Sequence, residues 1–287
     1  MKRFQALLCS TVLIAVSCAA AQAQTSSAAP AAKDKLTEVL DARSDQLKAR
    51  DSSRHPRETI DFFGLVPGMK IAEVLPGGGW YTQVLAPYIG TQGAIYGINY
   101  DDNLWAMFGF FSKEQIAKQI ASTNDFANQV AKYAGAGMTA QGFTFGKAPP
   151  ALNGSLDAVV LVRALHNLNR FEQAAGTRTT ALKSIHALLK PGGIVGVVQH
   201  RAPADADDGW ADGSKGYLKQ AAVVAMFKQQ GFELIASSEI NANPADKPGV
   251  EDVVWRLPPS LNTTPDNKAA MAAIGESDRM TLKFRKK

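Results

Sequence analysis

The stretch IAEVLPGGGWYTQVLAPYIG, Ile71 to Gly90, decides the fold. An apolar run carrying one acid, Glu73, reaches Leu75; Gly77, Gly78 and Gly79 follow, and helix-like sequence begins at Trp80. Glycines let a backbone turn tightly with positive φ, and a helix starting there aims its first N–H groups beyond the strand end. Strand, glycine turn and helix in that order open a βαβ unit with a ligand site at the turn.

Outward from this turn the pattern repeats. Short apolar segments at Lys70–Leu75, Ala94–Asn99, Met138–Phe143, Asp157–Val162 and Ile194–Gln199 read as strands. Between them Trp80–Tyr88, Lys113–Ala134 and Thr177–Leu189 read as helices, the last stopped by the turn KPGG. Crossovers of this length imply parallel neighbours. Further on, YLKQAAVVAMFKQQGF reads as a helix ending at Gly231 and ELIASSEI as a strand. The closing RMTLKFRKK alternates apolar and polar residues, which suits an antiparallel edge strand. The fold class expected is α/β, with one mostly parallel sheet and helices on both faces.

The glycine spacing does not fit the dinucleotide fingerprint G-x-G-x-x-G, since Tyr81 and Thr82 stand where the third small residue belongs. The turn resembles instead the first motif of class I S-adenosylmethionine-dependent methyltransferases, an acid followed by glycines on alternate positions. Glu73 takes the acid, Gly77 and Gly79 the second and third glycines, and Leu75 replaces the first. LDAVVLVRALHNL and LKPGGIVGVVQHRA resemble that family's fourth and fifth strands with their flanks. From RHPRETIDFFGLVPGMK to AIGESDRMTLKF the chain is similar to one bacterial family of predicted, often exported methyltransferases of unknown substrate. The resemblance implies a Rossmann-like, seven-stranded, mostly parallel sheet with an antiparallel C-terminal strand, and S-adenosylmethionine as cofactor. It also implies that Glu73 lies under the ligand near its methionine moiety and that Gly77 to Gly79 form the site's base.

In those enzymes the acid ending the second strand binds the ribose hydroxyls. Here AIYGIN ends with Asn99, and Asp101 follows two residues later; either the amide makes the contact by position or the carboxylate by chemistry. Tyr81, just past the glycines, could meet the cofactor's edge, whereas Trp80 and Trp105 read as packing.

Catalytic groups in open α/β sheets collect at the carboxyl ends of strands. His166 and His200 both fall there, and the implied strand order places them with Arg163 and Arg201 around one cleft. Methyl transfer needs in-line positioning, and it needs a base only when the acceptor starts protonated; a histidine suits that task. His55 and His186 read as structural, Glu239, Asn241 and Asn243 as groups able to orient an acceptor. The His and Asp spacings, including Asp205, Asp207 and Asp208, match no tight zinc motif, so no metal is expected.

The first 23 residues differ from the rest. Lys2 and Arg3, an apolar stretch and Ala21-Gln22-Ala23 read as a cleavable export leader, too short to span a bilayer. Cys18 within Val16-Ser17-Cys18 allows a lipoprotein as the minor alternative. Residues 24–33 read as a flexible Ala/Ser/Pro linker, and 34–287 as one domain with a helical N-terminal extension broken at Pro56. Both cysteines lie in the leader, so the mature chain has no disulfide or thiolate site. Loss of Lys2 and Arg3 takes the net charge from +5 to +3, too mild to argue for a nucleic-acid partner. A hydrophobic fraction of 46% with 20% charged residues fits a globular chain rather than disorder or a coiled coil. Two functions follow: a periplasmic or secreted methyltransferase with a small-molecule acceptor, touching membrane only through its leader, or an exported Rossmann-like binding protein without methyl transfer. The cofactor's cytosolic origin weighs on the first, Leu75 and Asn99 favour the second, and a nicotinamide dehydrogenase lacks its fingerprint.

Overall fold

The computed structural model describes residues 28–287, with side chains from residue 34 onward. The expected leader lies outside the described residues, as does the start of the linker; a helix already begins at Ala28. Among the described residues no helix is long and apolar enough to cross a membrane.

Seven strands form one sheet: β1 (Lys70–Val74), β2 (Ala94–Asn99), β3 (Thr139–Thr144), β4 (Leu156–Val162), β5 (Leu189–His200), β6 (Phe232–Ser238) and β7 (Arg279–Lys286). Their order is β3-β2-β1-β4-β5-β7-β6. β1 to β5 pair in parallel, and β7 pairs antiparallel with both β5 and β6. This is the expected Rossmann-like sheet, mostly parallel with an antiparallel C-terminal strand. Strand order reverses between β1 and β4, and ligands of open α/β sheets bind in the crevice above such a switch point.

Helices cover both faces. The N-terminal extension forms α1 (Ala28–Asp41), α2 (Asp45–Lys48), α3 (Asp51–Arg54) and α4 (Pro56–Phe63), with Pro56 at the first turn of α4, where its missing N–H costs nothing. Then come α5 (Thr82–Ile89), α6 (Leu104–Met107), α7 (Lys113–Asn124), α8 (Phe126–Ala134), α9 (Leu165–Arg170), α10 (Glu172–Ala175), α11 (Thr177–Leu188), α12 (Gln220–Gln229) and α13 (Lys268–Ile274). Residues alternate between two cores: Ile71, Ile95 and Val160 pack under α1, α4, α5 and α8, while Ala72, Val159 and Val197 pack under α9, α11 and α12. That period of two is why the central strands β1, β2 and β4 read as nearly continuous apolar runs.

Three expectations need correction. The single helix Lys113–Ala134 is two, meeting at Asp125; the first begins in a capping box between Ser112 and Gln115. KPGG does not stand outside the sheet. Leu189 already pairs with Leu156, and Lys190 to Gly193 bulge before pairing resumes at Ala158 and Ile194. Nor is β7 an edge: it lies inside, and β6 forms the edge. Its polar face is buried too, with Arg279 3% exposed and Thr281 accepting from the Asn241 amide, which also reaches Thr59 of α4.

α7 and α8 approach β3 so closely at Gly142 that a Cβ there would stand 1.8 Å from the Thr123 carbonyl oxygen and 2.8 Å from the Phe126 Cβ. Gly142→Ala is therefore expected to destabilise the protein by about 1–3 kcal/mol or more through overpacking, read as a lower urea midpoint at unchanged slope.

Candidate active site

The crevice is built from two strand ends that turn the same way. After β1, Leu75 donates its N–H to the Ile98 carbonyl (2.8 Å) and adopts φ 52°; after β4, Arg163 donates to the Val198 carbonyl (2.7 Å) and adopts φ 57°. Left-handed backbone at a non-glycine residue costs on the order of 1–3 kcal/mol and clusters at ligand sites. Leu75 thus occupies the place of the missing first glycine in the conformation a glycine would favour. Gly77 (φ 55°) and Gly79 (φ 76°) complete the turn, closed by the Gly79 N–H on the Pro76 carbonyl at 2.9 Å. The Gly79 amide is therefore spoken for, while those of Gly77 and Gly78 meet no acceptor among the described residues. A Cβ on Gly78 would enter open space.

Two adjoining hollows, of about 680 and 500 Å³, lie above these ends and share Leu75, Gly77, Arg163, Asn167 and Trp255 as walls. The first, over β1 and β2, has an aromatic wall of Trp105, Phe108, Phe110 and Phe111. Its polar groups are amides and hydroxyls, among them Asn99, Ser122, Thr123 and Gln129, with Arg163 and Arg170 and, among the described residues, no carboxylate. Asn99 lines it as expected; its amide donates to Thr123 Oγ1 (2.9 Å) and its carbonyl accepts from the Tyr100 N–H (2.9 Å), leaving one N–H and one lone pair free. Asp101 does not swing in. It accepts from the Gly146 N–H at 2.7 Å and lines only a separate cavity of about 70 Å³.

The second hollow, over β4 and β5, brings together His166, His200 and Arg163, with the two imidazole centroids 5.4 Å apart. Burial pulls the pKa of His166 down to about 4 and that of His200 well below its ordinary value, so both are neutral at physiological pH. Gln199 fixes the tautomer of His166. Its Nε2 donates to the carbonyls of His200 and Gly216, so its Oε1 must accept, taking the His166 N–H (3.2 Å) and facing Nδ1 at 3.3 Å. The proton then sits on Nδ1, and Nε2 keeps its lone pair. His200 Nδ1 lies 2.6 Å from Ser277 Oγ.

Other expected residues point elsewhere. Arg201 is absent from both hollows and is clamped by Asp278 (2.8 Å) and Glu239 (2.7 Å). Asn243 donates to the carbonyls of Ile274 and Glu276, Asn241 bridges Thr59 of α4 and Thr281 of β7, Glu239 pairs with Arg201, and none of the three lines either hollow. Tyr81 turns into the core, 6% exposed, its hydroxyl on the Arg54 carbonyl at 3.3 Å. Its neighbour Trp80 packs against one core, as expected, and also lines the second hollow; Trp105 is buried in the other core, as expected, and also lines the first. Arg50 and Arg54 complete the second hollow and escaped the sequence reading, because helical periodicity in the extension shows no destination for its charges. Among the described residues no three His, Cys, Asp or Glu side chains converge on a metal position.

Glu73 lies beneath the turn, 4% exposed, accepting from Thr82 Oγ1 at 2.7 Å, and lines neither hollow. Burial raises its pKa to about 7, against a smaller opposing effect of the Thr82 hydrogen bond.

No protein-family model matches the chain, and no curated protein matches it. Solved structures similar to it include a SAM dependent methyltransferase from Aquifex aeolicus (15% identity, 72% of this chain and 93% of that one, TM-score 0.48). Others are the [4+2]-cyclase SpnF (17%, 82% and 80%, 0.47) and the Burkholderia thailandensis 1,6-didemethyltoxoflavin-N1-methyltransferase with bound 1,6-didemethyltoxoflavin and S-adenosylhomocysteine (12%, 90% and 88%, 0.46).

The raised pKa of Glu73 fixes the sign of a pH effect. Unfolded, the carboxyl ionises near 4.5; folded, it holds its proton until about 7, so its burial penalty grows across that window and is complete above it. Glu73→Gln should accordingly gain stability relative to wild type as pH rises from about 4.5 to 8, by roughly 3 kcal/mol at 1.36 kcal/mol per pKa unit. Denaturant titrations at both pH values check this, and an equal difference at both would show a carboxyl that ionises normally.

Proposed function

We propose that this chain is an S-adenosylmethionine-dependent methyltransferase for a small-molecule acceptor, and that its leader takes it to the periplasm or beyond. The observation that carries this reading is the glycine turn at the β1/β4 switch point, open over Gly78 and flanked by two adjoining hollows. The first hollow suits an adenosine. Trp105 and Phe108 offer ring faces to a base, and the spare N–H and lone pair of Asn99, with the Ser122 hydroxyl, suit sugar hydroxyls. Bound there, the cofactor supplies an electrophilic methyl on sulfonium.

The protein's own part is placement and proton handling. The bare Gly77 and Gly78 amides hold the polar end of the guest against the strand end, and the walls shared by the hollows bring the two reactants edge to edge. An acceptor that begins protonated gives its proton to Nε2 of His166, neutral and oriented by Gln199. The second reading, a binding protein without methyl transfer, is favoured by the absence, among the described residues, of any carboxylate in the first hollow. Affinity for S-adenosylhomocysteine separates the two.

Calorimetry should detect S-adenosylhomocysteine binding to the wild type and none to Gly78→Asp, whose side chain would fill the open space above the turn; both should melt alike. Unchanged binding would remove the cofactor from this turn. Once an acceptor is in hand, His166→Asn should lower kcat by about 10²-fold or more while leaving cofactor affinity intact.

A further inference from the structure

The second hollow carries an imbalance of charge that methyl transfer does not explain. Arg50, Arg54 and Arg163 line it, and among the described residues Glu276 is its only carboxylate. Glu276 Oε1 accepts from Arg50 Nε (2.9 Å) and Nη2 (2.5 Å) and from Arg54 Nε (3.3 Å), while Oε2 accepts from Arg279 Nη1 (3.0 Å). One negative charge thus serves three guanidiniums directly, and Arg163, close enough to feel it, makes no ion pair with it.

Two of these cations are held without full partners. Arg54 is 2% exposed, and its Nη1 has no hydrogen-bond partner among the described residues; the same holds for Arg163 Nε. Trp80 lies 4.4 Å from the Arg54 guanidinium, which satisfies its face and not its N–H groups. Burial lowers the pKa of Arg54 to about 9 and that of Arg163 to about 10, with mutual repulsion adding to the first and Glu276 offsetting only part of each. Buried cations left short of acceptors are costly, and an entering oxyanion with several acceptor lone pairs relieves them.

We propose that the second hollow is a receptor for an oxyanion carried by the methyl acceptor, a carboxylate or a phosphate, held by Arg54 and Arg163 with Arg50 at its mouth. The assignment of the anion to the acceptor rests on the methyltransferase reading; the binding of an anion does not. The same charges reject a cationic acceptor, since an ammonium group would face the arginines with one already engaged carboxylate to offset them.

The test is calorimetric titration of the purified protein with phenyl phosphate, benzoate and uncharged benzyl alcohol, each with and without saturating S-adenosylhomocysteine. At least one anion should bind on the order of tenfold more tightly than the alcohol, as charge-assisted hydrogen bonds require, and should do so with S-adenosylhomocysteine present. Arg163→Gln should abolish that preference; should that variant not fold, Arg50→Gln, altered at a side chain 26% exposed, should weaken it. Arg54→Lys, which keeps the charge and loses the fork, should fall between wild type and Arg163→Gln. Equal binding of the alcohol, or indifference to the arginine variants, overturns the proposal. Displacement of the anions by S-adenosylhomocysteine also overturns it, because the cluster would then hold the carboxylate of the cofactor itself. Failure of the methyltransferase reading looks different: the anions bind and S-adenosylhomocysteine does not.

Discussion

The carboxylate of Glu276 is the point at which the two ends of the described chain meet. It sits just before β7, inside the sheet, and accepts from Arg50 and Arg54 of the N-terminal extension and from Arg279 of β7 itself. Burial alone would raise its pKa; the surrounding guanidiniums outweigh that and hold it below the ordinary value. Buried ion pairs contribute little net stability once desolvation is counted, but losing one partner strands the other and costs on the order of 3–5 kcal/mol. The contact therefore acts mainly through placement. It draws the Arg50–Arg54 segment over the strand ends, where Trp80 bonds the Leu47 carbonyl and Tyr81 the Arg54 carbonyl, and so gives the second hollow one of its walls.

The other walls come from the sheet. β1 and β4 are neighbours whose chains leave in opposite directions, and each leaves through a residue with positive φ, Leu75 and Arg163. Both retain a ladder hydrogen bond to the strand on the far side, Ile98 of β2 and Val198 of β5, so pairing on both flanks sets the unusual conformation more than the residues' own preference does. Leu75 shows how the turn keeps its shape without a glycine at that position: the backbone takes a conformation glycine would favour, and the side chain lines both hollows.

The fold was legible because strands buried on both faces, such as β1, β2 and β4, leave nearly continuous apolar runs, while β7 was visible by its alternation. Failures fell where tertiary contact overrides local pattern. KPGG resembles a helix stop, yet Leu189 is already paired with Leu156. The alternation of β7 resembles an exposed edge, yet Thr281 and Arg279 are covered by Asn241 and by the N-terminal extension. In the site, Arg163, His166 and His200 line the second hollow from the strand ends where position put them, while Gly77, Gly78 and Asn99 were singled out through the family resemblance and line one hollow or the other. Tyr81 turned into the core, while Trp80 packs as expected and lines the second hollow as well, since a residue just past a turn can face either way and nothing local decides. Arg50 and Arg54 lay about 20 residues ahead of β1 on a segment whose helical pattern gives its charges no destination, and the distant Glu276 gives them a direction.

The amide at position 99 and the arginines at the crevice have one physical reading. A carboxylate ending β2, or one brought in by Asp101, would stand in the same hollow as Arg163 and Arg170 and neutralise part of their field in a low-dielectric enclosure. Asn99 keeps a spare N–H and lone pair and contributes no charge, and Asp101 is tied to Gly146, just past the end of β3. Glu73, the remaining acid near the turn, is buried deeply enough that its carboxyl stays neutral to about pH 7. Every acid that could quench the arginines is thus an amide, turned away, or held near neutrality, except Glu276, which is shared among three cations. Both hollows keep an unbalanced positive charge, one that a neutral or cationic acceptor leaves uncompensated and an anionic one neutralises.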